Sequence, residues 1–475
     1  MIYEAWRRAA EDGSRLAVVD GDRRLTAAEL SRRCERLASV LATGVGLERG
    51  DRVLLLAPNC LETASALLAV ARQGAVLVPV SAELRDPEVA HYVERFRPRA
   101  VLTLEALTDR WPGALGEIAP ERIVRLDRMP EDVAPPPPRE PVAGEAFLVS
   151  TSGTTGVPKV VAWTARGTLR TRLAVYERLG IGAGDRVLGV VPVQHAYGLG
   201  NSFVGPLVTG ATVVLSDRFL PRRVLDLVER ERITALIGSP FIFSAVADCV
   251  DDPARLASVR VWLSAGAKLP DSVRETYAGF GGIRFRELYG NTEVGSVAIQ
   301  DADTEDRGFR VLETAALRIV DDEGRDLAPG AEGEVVVQTE GMADGYVGEA
   351  KRSPDSWYGD WWRTGDLGRL DPEGRLLLTG RMTRRLNIAG IKVDPVEVET
   401  VLRSIPGVEG ARVKGVEGRR GVDSIHATVL VAEGVELSRQ DVIAHCRDRL
   451  AEYKLPRTVD IVDSMPVDPL GKSRL

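Results

Sequence analysis

Between residues 25 and 80 the apolar positions change period several times. "LTAAELSRRCERLASVLATGVG" spaces its leucines at helical intervals behind Thr26, which predicts a threonine-capped helix. "DRVLLLAP" is a continuous apolar run and predicts a buried strand. "CLETASALLAVARQGA" and "VLVPVSA" repeat the pair as a second helix and a second strand. The rhythm returns at "DRVLGVVPV", "ATVVLSD", "VLDLVERERITALIGSP" and "VRVWLSAGAKLP". Alternation of this kind calls for right-handed crossovers and a parallel sheet covered by helices. No fixed-period repeat is present, which excludes a solenoid.

From about residue 312 the pattern shifts to short alternating strands, "ALRIVDDEG", "GEVVVQT" and "GRLLLTGR", turned by Gly, Asp and Pro. After residue 382 a compact α+β pattern follows. It comprises a Pro-started helix from Asp394, strands at "ARVKGV" and "SIHATVLV", a helix from Ser438 and a last strand "TVDIVD". The expected division is an N-terminal core over 1–380 and a small C-terminal domain over 381–475. The proline-rich "APPPPREP" at 134–141 reads as a stiff excursion inside the first unit.

At 475 residues the chain is too long for one ordinary core, and 44% hydrophobic with 28% charged residues is the balance of a globular protein. A net charge of −7 with no basic block argues against nucleic acid as a partner. Cys34, Cys60, Cys249 and Cys446 are widely spaced, which suggests neither a metal site nor a disulfide framework. The opening "MIYEAWRRAAEDGSRLAVVDG" has no signal-like apolar segment, and no run approaches the roughly 20 apolar residues of a membrane span. The expectation is a cytoplasmic protein without a membrane partner.

One stretch carries chemistry on its face. "LVSTSGTTGVPKVV", residues 148–161, places hydroxyls and glycines between two apolar runs and closes on Lys159. Free backbone N–H groups, several hydroxyls and one ammonium are what a polyphosphate requires. The spacing differs from G-x-x-x-x-G-K-[ST], so an ordinary P-loop is disfavoured. Taken alone, the stretch also fits a solvated turn between strands.

The stretch does not stand alone. "STSGTTGVPK" is followed in order by "LSAGAKLP", "ELYGNTEVG", "RTGDLGRLDPEGRLLLTGR", "IAGIKVDPVEVE", "AEYKLPR" and "PVDPLGKSRL". This series resembles the adenylate-forming (ANL) superfamily of acyl- and aryl-CoA synthetases, peptide-synthetase adenylation domains and beetle luciferases, across essentially the whole chain. The resemblance implies an α/β fold: a large N-terminal region of helix-covered sheets plus a small β-barrel, followed by a small mobile α+β C-terminal domain. It also implies AMP-forming activation of a carboxylic acid by ATP and Mg²⁺, then thioester formation with CoA or a phosphopantetheinyl carrier protein.

Each matching position then acquires an expected role. Thr151, Ser152, Gly153, Thr154, Thr155, Gly156 and Lys159 would hold the β- and γ-phosphates. Lys472 would bridge the substrate carboxylate and the α-phosphate, with Thr292 on the α-phosphate and Glu293 on Mg²⁺. Tyr289, with Gly290 and Asn291, would lie against adenine, opposite Gly266, Ala267 and Lys268. Asp366 would accept both ribose hydroxyls beside Arg381. Gly390 matches the glycine that admits a pantetheine arm. Two positions depart from the pattern: Thr383 stands at the expected hinge, near 381–383, where Asp or Lys is usual, and Asn387 replaces a frequent lysine.

The stretch "PVQHAYGLGNSF" lacks the acidic residue that would pair with a substrate amine, and burying an unpaired ammonium is costly. His195 and Tyr197 are therefore expected to line an acyl pocket, with Gly295 and Ser296 leaving room for a ring. The reading favours an aryl or other compact acid, similar to benzoate-type CoA ligases, over a medium- or long-chain fatty acid or an amino acid. A luciferase-like oxidoreductase and a non-catalytic nucleotide binder are the rivals from other classes, and either a monomer or a homodimer is compatible. If Lys472 bridges the two reacting anions, Lys472→Ala will leave ATP binding nearly intact. It will cut pyrophosphate exchange by a factor of about several hundred, the scale of losing a key electrostatic donor. An exchange rate within about threefold of wild type would refute the role.

Overall fold

The computed structural model describes residues 1–130, 133, 136, 144–150, 159–301, 308–321, 323–349, 356–381, 386–388, 391–393, 395–417, 423–432 and 434–462. The proline-rich excursion, most of the Ser/Thr/Gly loop (Thr151 to Gly156), Thr383, Gly390 and Lys472 lie outside them.

The predicted alternation folds as two sheets. In the first, strands Arg52–Leu56, Val76–Val80, Ala100–Thr103 and Ile123–Arg125 run parallel, and Glu145–Ser150 joins them beside Val76–Val80. Val160–Thr164 returns antiparallel at the edge, so the Ser/Thr/Gly loop is the connection of a strand pair. In the second sheet, Leu16–Asp20, Thr212–Leu215, Arg186–Gly189, Ala235–Gly238, Val261–Ala265 and Phe285–Asn291 are successive parallel neighbours. The strands are mostly apolar and buried because helices cover the sheet faces. Helix Ala27–Ser39 starts at Thr26, whose hydroxyl accepts the Glu29 N–H while the Glu29 carboxylate accepts the Thr26 N–H.

At Phe285–Asn291 the second sheet changes character. This strand runs parallel to Val261–Ala265 on one side and antiparallel to Gly295–Gln300 on the other. Beyond it the strands Phe309–Val311, Leu376–Arg381, Trp361–Leu370, Gly333–Thr339 and Ala315–Val320 are antiparallel. The last of them packs back against Gly295–Gln300, so this part curls around its own apolar centre of Val297, Phe309, Val335, Trp357 and Trp362. It is the small barrel-like element implied by the resemblance.

The C-terminal unit is a compact α+β body. Strands Val408–Glu417, Asp423–Val431 and Thr458–Val462 form its sheet, with helices Pro395–Arg403 and Arg439–Arg447 packed on it.

Several helices escaped the pattern reading, among them Asp86–Phe96, Asp271–Gly279 and Ala165–Leu179. Ala165–Leu179 is fully formed, capped by Thr164 and closed by Gly180 at φ 64°. Its residue Tyr176 is completely buried, and the Tyr176 hydroxyl donates to the Asn201 carbonyl oxygen. Gly205 faces that ring so closely that a Cβ there would stand 2.2 Å from Tyr176 Cε2. A buried ring has nowhere to move in a close-packed interior. Gly205→Ala will therefore destabilise the fold by about 1–3 kcal/mol, the range for overpacking. The check is the thermal melting temperature, which must fall; an unchanged melt would show that the ring yields freely.

Candidate active site

The polar motifs converge where the parallel sheet meets the antiparallel strands. Strand Phe285–Asn291 leads into a hairpin whose tip carries Thr292 and Glu293. Asn291 Oδ1 accepts the Val294 N–H at 3.0 Å and closes the turn. Only glycine fits at 290, because a Cβ would stand 2.0 Å from the Gly295 carbonyl oxygen, and Gly295 itself has φ +75°. The "YGNTEVG" phrase is thus the sequence of one tight hairpin that projects a hydroxyl and a carboxylate.

Glu293 is buried, and one carboxylate oxygen accepts the Tyr346 hydroxyl at 2.8 Å. Lys159 stands over the Tyr346 ring at 4.3 Å and pairs with Glu349 at 3.4 Å. The end of the Ser/Thr/Gly loop is therefore tied to the Glu293 hairpin through Tyr346, a residue the sequence reading did not single out. The second oxygen of Glu293 has no protein donor among the described residues. Among the described residues no cluster of three His, Cys, Asp or Glu exists that could cage a metal. One open carboxylate oxygen fits Mg²⁺, which is commonly held by one or two carboxylates together with substrate phosphates.

Thr292 and Glu293 open onto a cavity of about 400 Å³. His195, Tyr197, Gly290, Asn291, Gly295, Ser296 and Gly266 also line it. Asp366, Tyr289, Ala267 and Lys268 do not line this cavity. Tyr289 instead donates its hydroxyl to Asp366 Oδ2 at 2.8 Å and packs edge-on to Phe309. The backbone of Asp366 pairs in register with Arg381. These residues form a second polar group on the barrel side of the hairpin.

The pocket's polar side chains are largely committed. Burial holds the Tyr197 phenol well above its usual pKa, and its hydroxyl donates to the Leu263 carbonyl oxygen at 3.0 Å. Asn201 sits in a π-helical stretch, Gly198–Val204, and its Oδ1 has no partner. His195 Nε2 is buried without a partner, and burial pulls the imidazole pKa down to about 4. His195 is therefore neutral at physiological pH.

Arg172, Arg449 and Lys454, which the sequence reading did not single out, add cations to the lining. Arg172, on helix Ala165–Leu179, donates from Nη2 to Ser296 Oγ at 2.7 Å. Lys454, inside the quoted "AEYKLPR", is buried and stands 2.7 Å from Glu397 and 3.3 Å from Glu88. Burial opposes its charge, yet Tyr453, Glu397 and Glu88 raise its pKa overall. Glu88 belongs to the N-terminal core and Glu397 to the C-terminal unit, so the cavity lies between the two bodies. Ile391, next to Gly390 in sequence, lines it from the C-terminal side.

With this arrangement in view, comparison with known proteins defines the class. The chain belongs to the AMP-binding enzymes: the family model described as "AMP-binding enzyme" matches residues 5–347, and "AMP-binding enzyme C-terminal domain" matches 397–472. The protein is an AMP-forming acid–thiol ligase of the acyl- and aryl-CoA synthetase type. It is 31% identical to feruloyl-CoA synthase of Amycolatopsis sp, over 98% of this chain and 96% of that protein. Indoleacetate–CoA ligase of Aromatoleum aromaticum is 30% identical, over 98% and 95%. Among solved structures, o-succinylbenzoate CoA synthetase (MenE) from Bacillus subtilis, as a double mutant with a product analogue, has TM-score 0.89 at 26% identity, covering 99% of this chain and 96% of that one. The same synthetase with its acyl-adenylate intermediate gives TM-score 0.73 over the same shares.

The depressed His195 pKa has a measurable consequence. The unfolded chain takes up this proton near pH 6.5, whereas the folded protein resists it until about pH 4. Stability is therefore lost as pH falls through that window. Between pH 7 and pH 5 the wild-type melting temperature will drop more than that of His195→Gln; equal drops would show that the imidazole protonates freely in the fold.

Proposed function

We propose that the enzyme activates an aryl or other compact carboxylic acid and transfers it to the thiol of CoA or of a carrier-protein pantetheine, in the cytoplasm. The observation that carries this reading is one cavity joining Thr292 and Glu293 to His195, Tyr197, Gly295 and Ser296. The phosphate chemistry and a small acyl site share a single space there. The stretch that carries His195 and Tyr197, "PVQHAYGLGNSF", holds no carboxylate, which supports an acid without an amine. The relatives named for feruloyl and indoleacetate substrates support an aromatic acid.

In the first half-reaction a carboxylate oxygen attacks the α-phosphorus, the bond to the bridging β-oxygen breaks, and pyrophosphate leaves with that electron pair. No protein nucleophile is needed, so the chain's residues act by position and charge. Thr292 holds an α-phosphoryl oxygen, and Lys159 with Thr151, Ser152, Thr154 and Thr155 holds the β- and γ-phosphates. Lys472 spans the reacting anions, and Asp366 with Arg381 orients the ribose. Glu293 would hold Mg²⁺, which when bound would supply further positive charge beside the phosphates.

In the second half-reaction a thiol sulfur attacks the acyl carbon, loses its proton and displaces AMP. The position of Ile391 in the cavity wall supports Gly390 as the point where the pantetheine arm passes. The arrangement described is nearer to MenE with a product analogue than to MenE with its adenylate, which supports a C-terminal body docked as for thioester formation. A hinge at 381–383 would carry the exchange between the two poses.

Pyrophosphate release measured over a panel of benzoates, phenylpropenoates, short acids and long fatty acids tests the reading. Aryl or compact acids are expected to give the highest kcat/KM. Preference for long fatty acids over every aromatic acid would overturn the substrate assignment.

A further inference from the structure

Three basic side chains are buried among the described residues: Arg172, Arg375 and Lys454. Arg375 pairs with Asp371 at 2.7 Å, and Lys454 faces Glu397 and Glu88. Among the described residues Arg172 forms no ion pair with an acid. It is 3% exposed, its single hydrogen bond among the described residues is to the neutral Ser296 hydroxyl, and its Nε has no partner. The ionisable neighbours beside it are phenols, Tyr176 and Tyr197, both held protonated and neutral by burial.

A guanidinium remains charged at neutral pH here, since burial lowers its pKa only to about 10. A buried charge without a counter-charge is costly, so the fold carries a deficit at this point. The site is shaped for the group. A Cβ at Gly200 would stand 2.7 Å from Arg172 Nη1, so glycine leaves space for the guanidinium against the backbone. Arg172 lines the same cavity as Thr292, Glu293 and Tyr197.

The missing counter-ion therefore belongs to the occupant of the pocket. The reacting carboxylate is a poor candidate, because it loses its charge on becoming an acyl-adenylate and would leave Arg172 unpaired through the second half-reaction. A charge that survives both steps is required. Ser296 pairs across the hairpin with Gly290, one step back along the strands from the tip that carries Thr292 and Glu293. Arg172 thus meets the acid away from the reacting end.

We propose that the natural acid is a dicarboxylate, one carboxyl group reacting with ATP while the second pairs with Arg172. This rests on the acid-activating reading of the same cavity.

The test uses the full-length enzyme with ATP, Mg²⁺ and CoA, and reads pyrophosphate release over matched acids. These are benzoate against 3- and 4-carboxybenzoate, 4-carbamoylbenzoate as the neutral acceptor, and hexanoate against adipate. The expected result is a kcat/KM about a hundredfold higher for the best diacid than for its monoacid or amide, the scale of leaving a buried charge unpaired. Arg172→Gln will remove that preference and Arg172→Lys will retain part of it. The wild-type panel stands even if a variant folds poorly. Wild-type turnover of a monoacid or the amide at least as fast as every diacid would overturn the proposal while leaving acid activation intact. Pyrophosphate release with no acid of either panel would overturn the activation reading, and this inference with it.

Discussion

The reaction forces two anions together, and the molecule is arranged around that repulsion. Two unit charges 4 Å apart repel by about 1 kcal/mol in water and about 4 kcal/mol at the effective dielectric of a protein surface. A cleft that excludes water therefore raises the barrier unless it brings positive charge with it. The parallel strands bring little of it, because they are buried and mostly apolar. The charge must come from segments beyond the strand ends, which is where open α/β sheets hold their ligands. Lys159 follows the strand Glu145–Ser150 and its loop, and Thr292 and Glu293 follow Phe285–Asn291.

This division explains which parts were legible in the amino-acid sequence. Strands such as Arg52–Leu56 and Val261–Ala265 are unbroken apolar runs, and helix Ala27–Ser39 carries its cap in the letters that precede it. The hairpin at Gly290 to Gly295 was legible as a phrase, because the backbone there admits almost nothing but glycine. The helix Ala165–Leu179 was not legible. Arg166, Arg170, Arg172 and Arg178 break its apolar spacing, and arginine is so frequent in this chain that one buried copy looks like the solvated ones. Arg166 and Arg170 do face solvent; Arg172, on the other side of the same helix, does not. Burial of a single charge is a tertiary fact, invisible to any local pattern. The pairing of Tyr289 with Asp366 is equally nonlocal, since 77 residues separate them.

The junction between the two bodies follows the same electrostatic logic. Lys454 and Glu397 both belong to the C-terminal unit, whereas Glu88 belongs to the core. Undocking would therefore cost Lys454 one partner and leave it the nearer one. Glu88, whose pKa is raised chiefly by burial, would regain water. A buried ion pair adds little net stability once desolvation is counted, but separating it from a fully unpaired charge is expensive. A triad with two acids on opposite bodies avoids that extreme. It specifies one docked pose without fixing it irreversibly, as an enzyme with two successive half-reactions requires.

The acyl end of the cavity completes the picture by what it lacks. His195 is neutral, Tyr197 keeps its proton, Asn201 and Ser296 are uncharged, and of these five side chains Arg172 is the one that carries charge. The field at this end is therefore positive, the opposite of what an amino-acid substrate needs. The absence of an acidic residue from "PVQHAYGLGNSF" already pointed away from an amine, and the helix behind that segment turns absence into preference. A positive charge is present at the reacting end because the chemistry creates and moves anions there. No such movement occurs at the acyl end, so a cation buried there acts in recognition. The same physical term thus serves catalysis at one end of the cavity and selectivity at the other, and the distance between them is set by one hairpin.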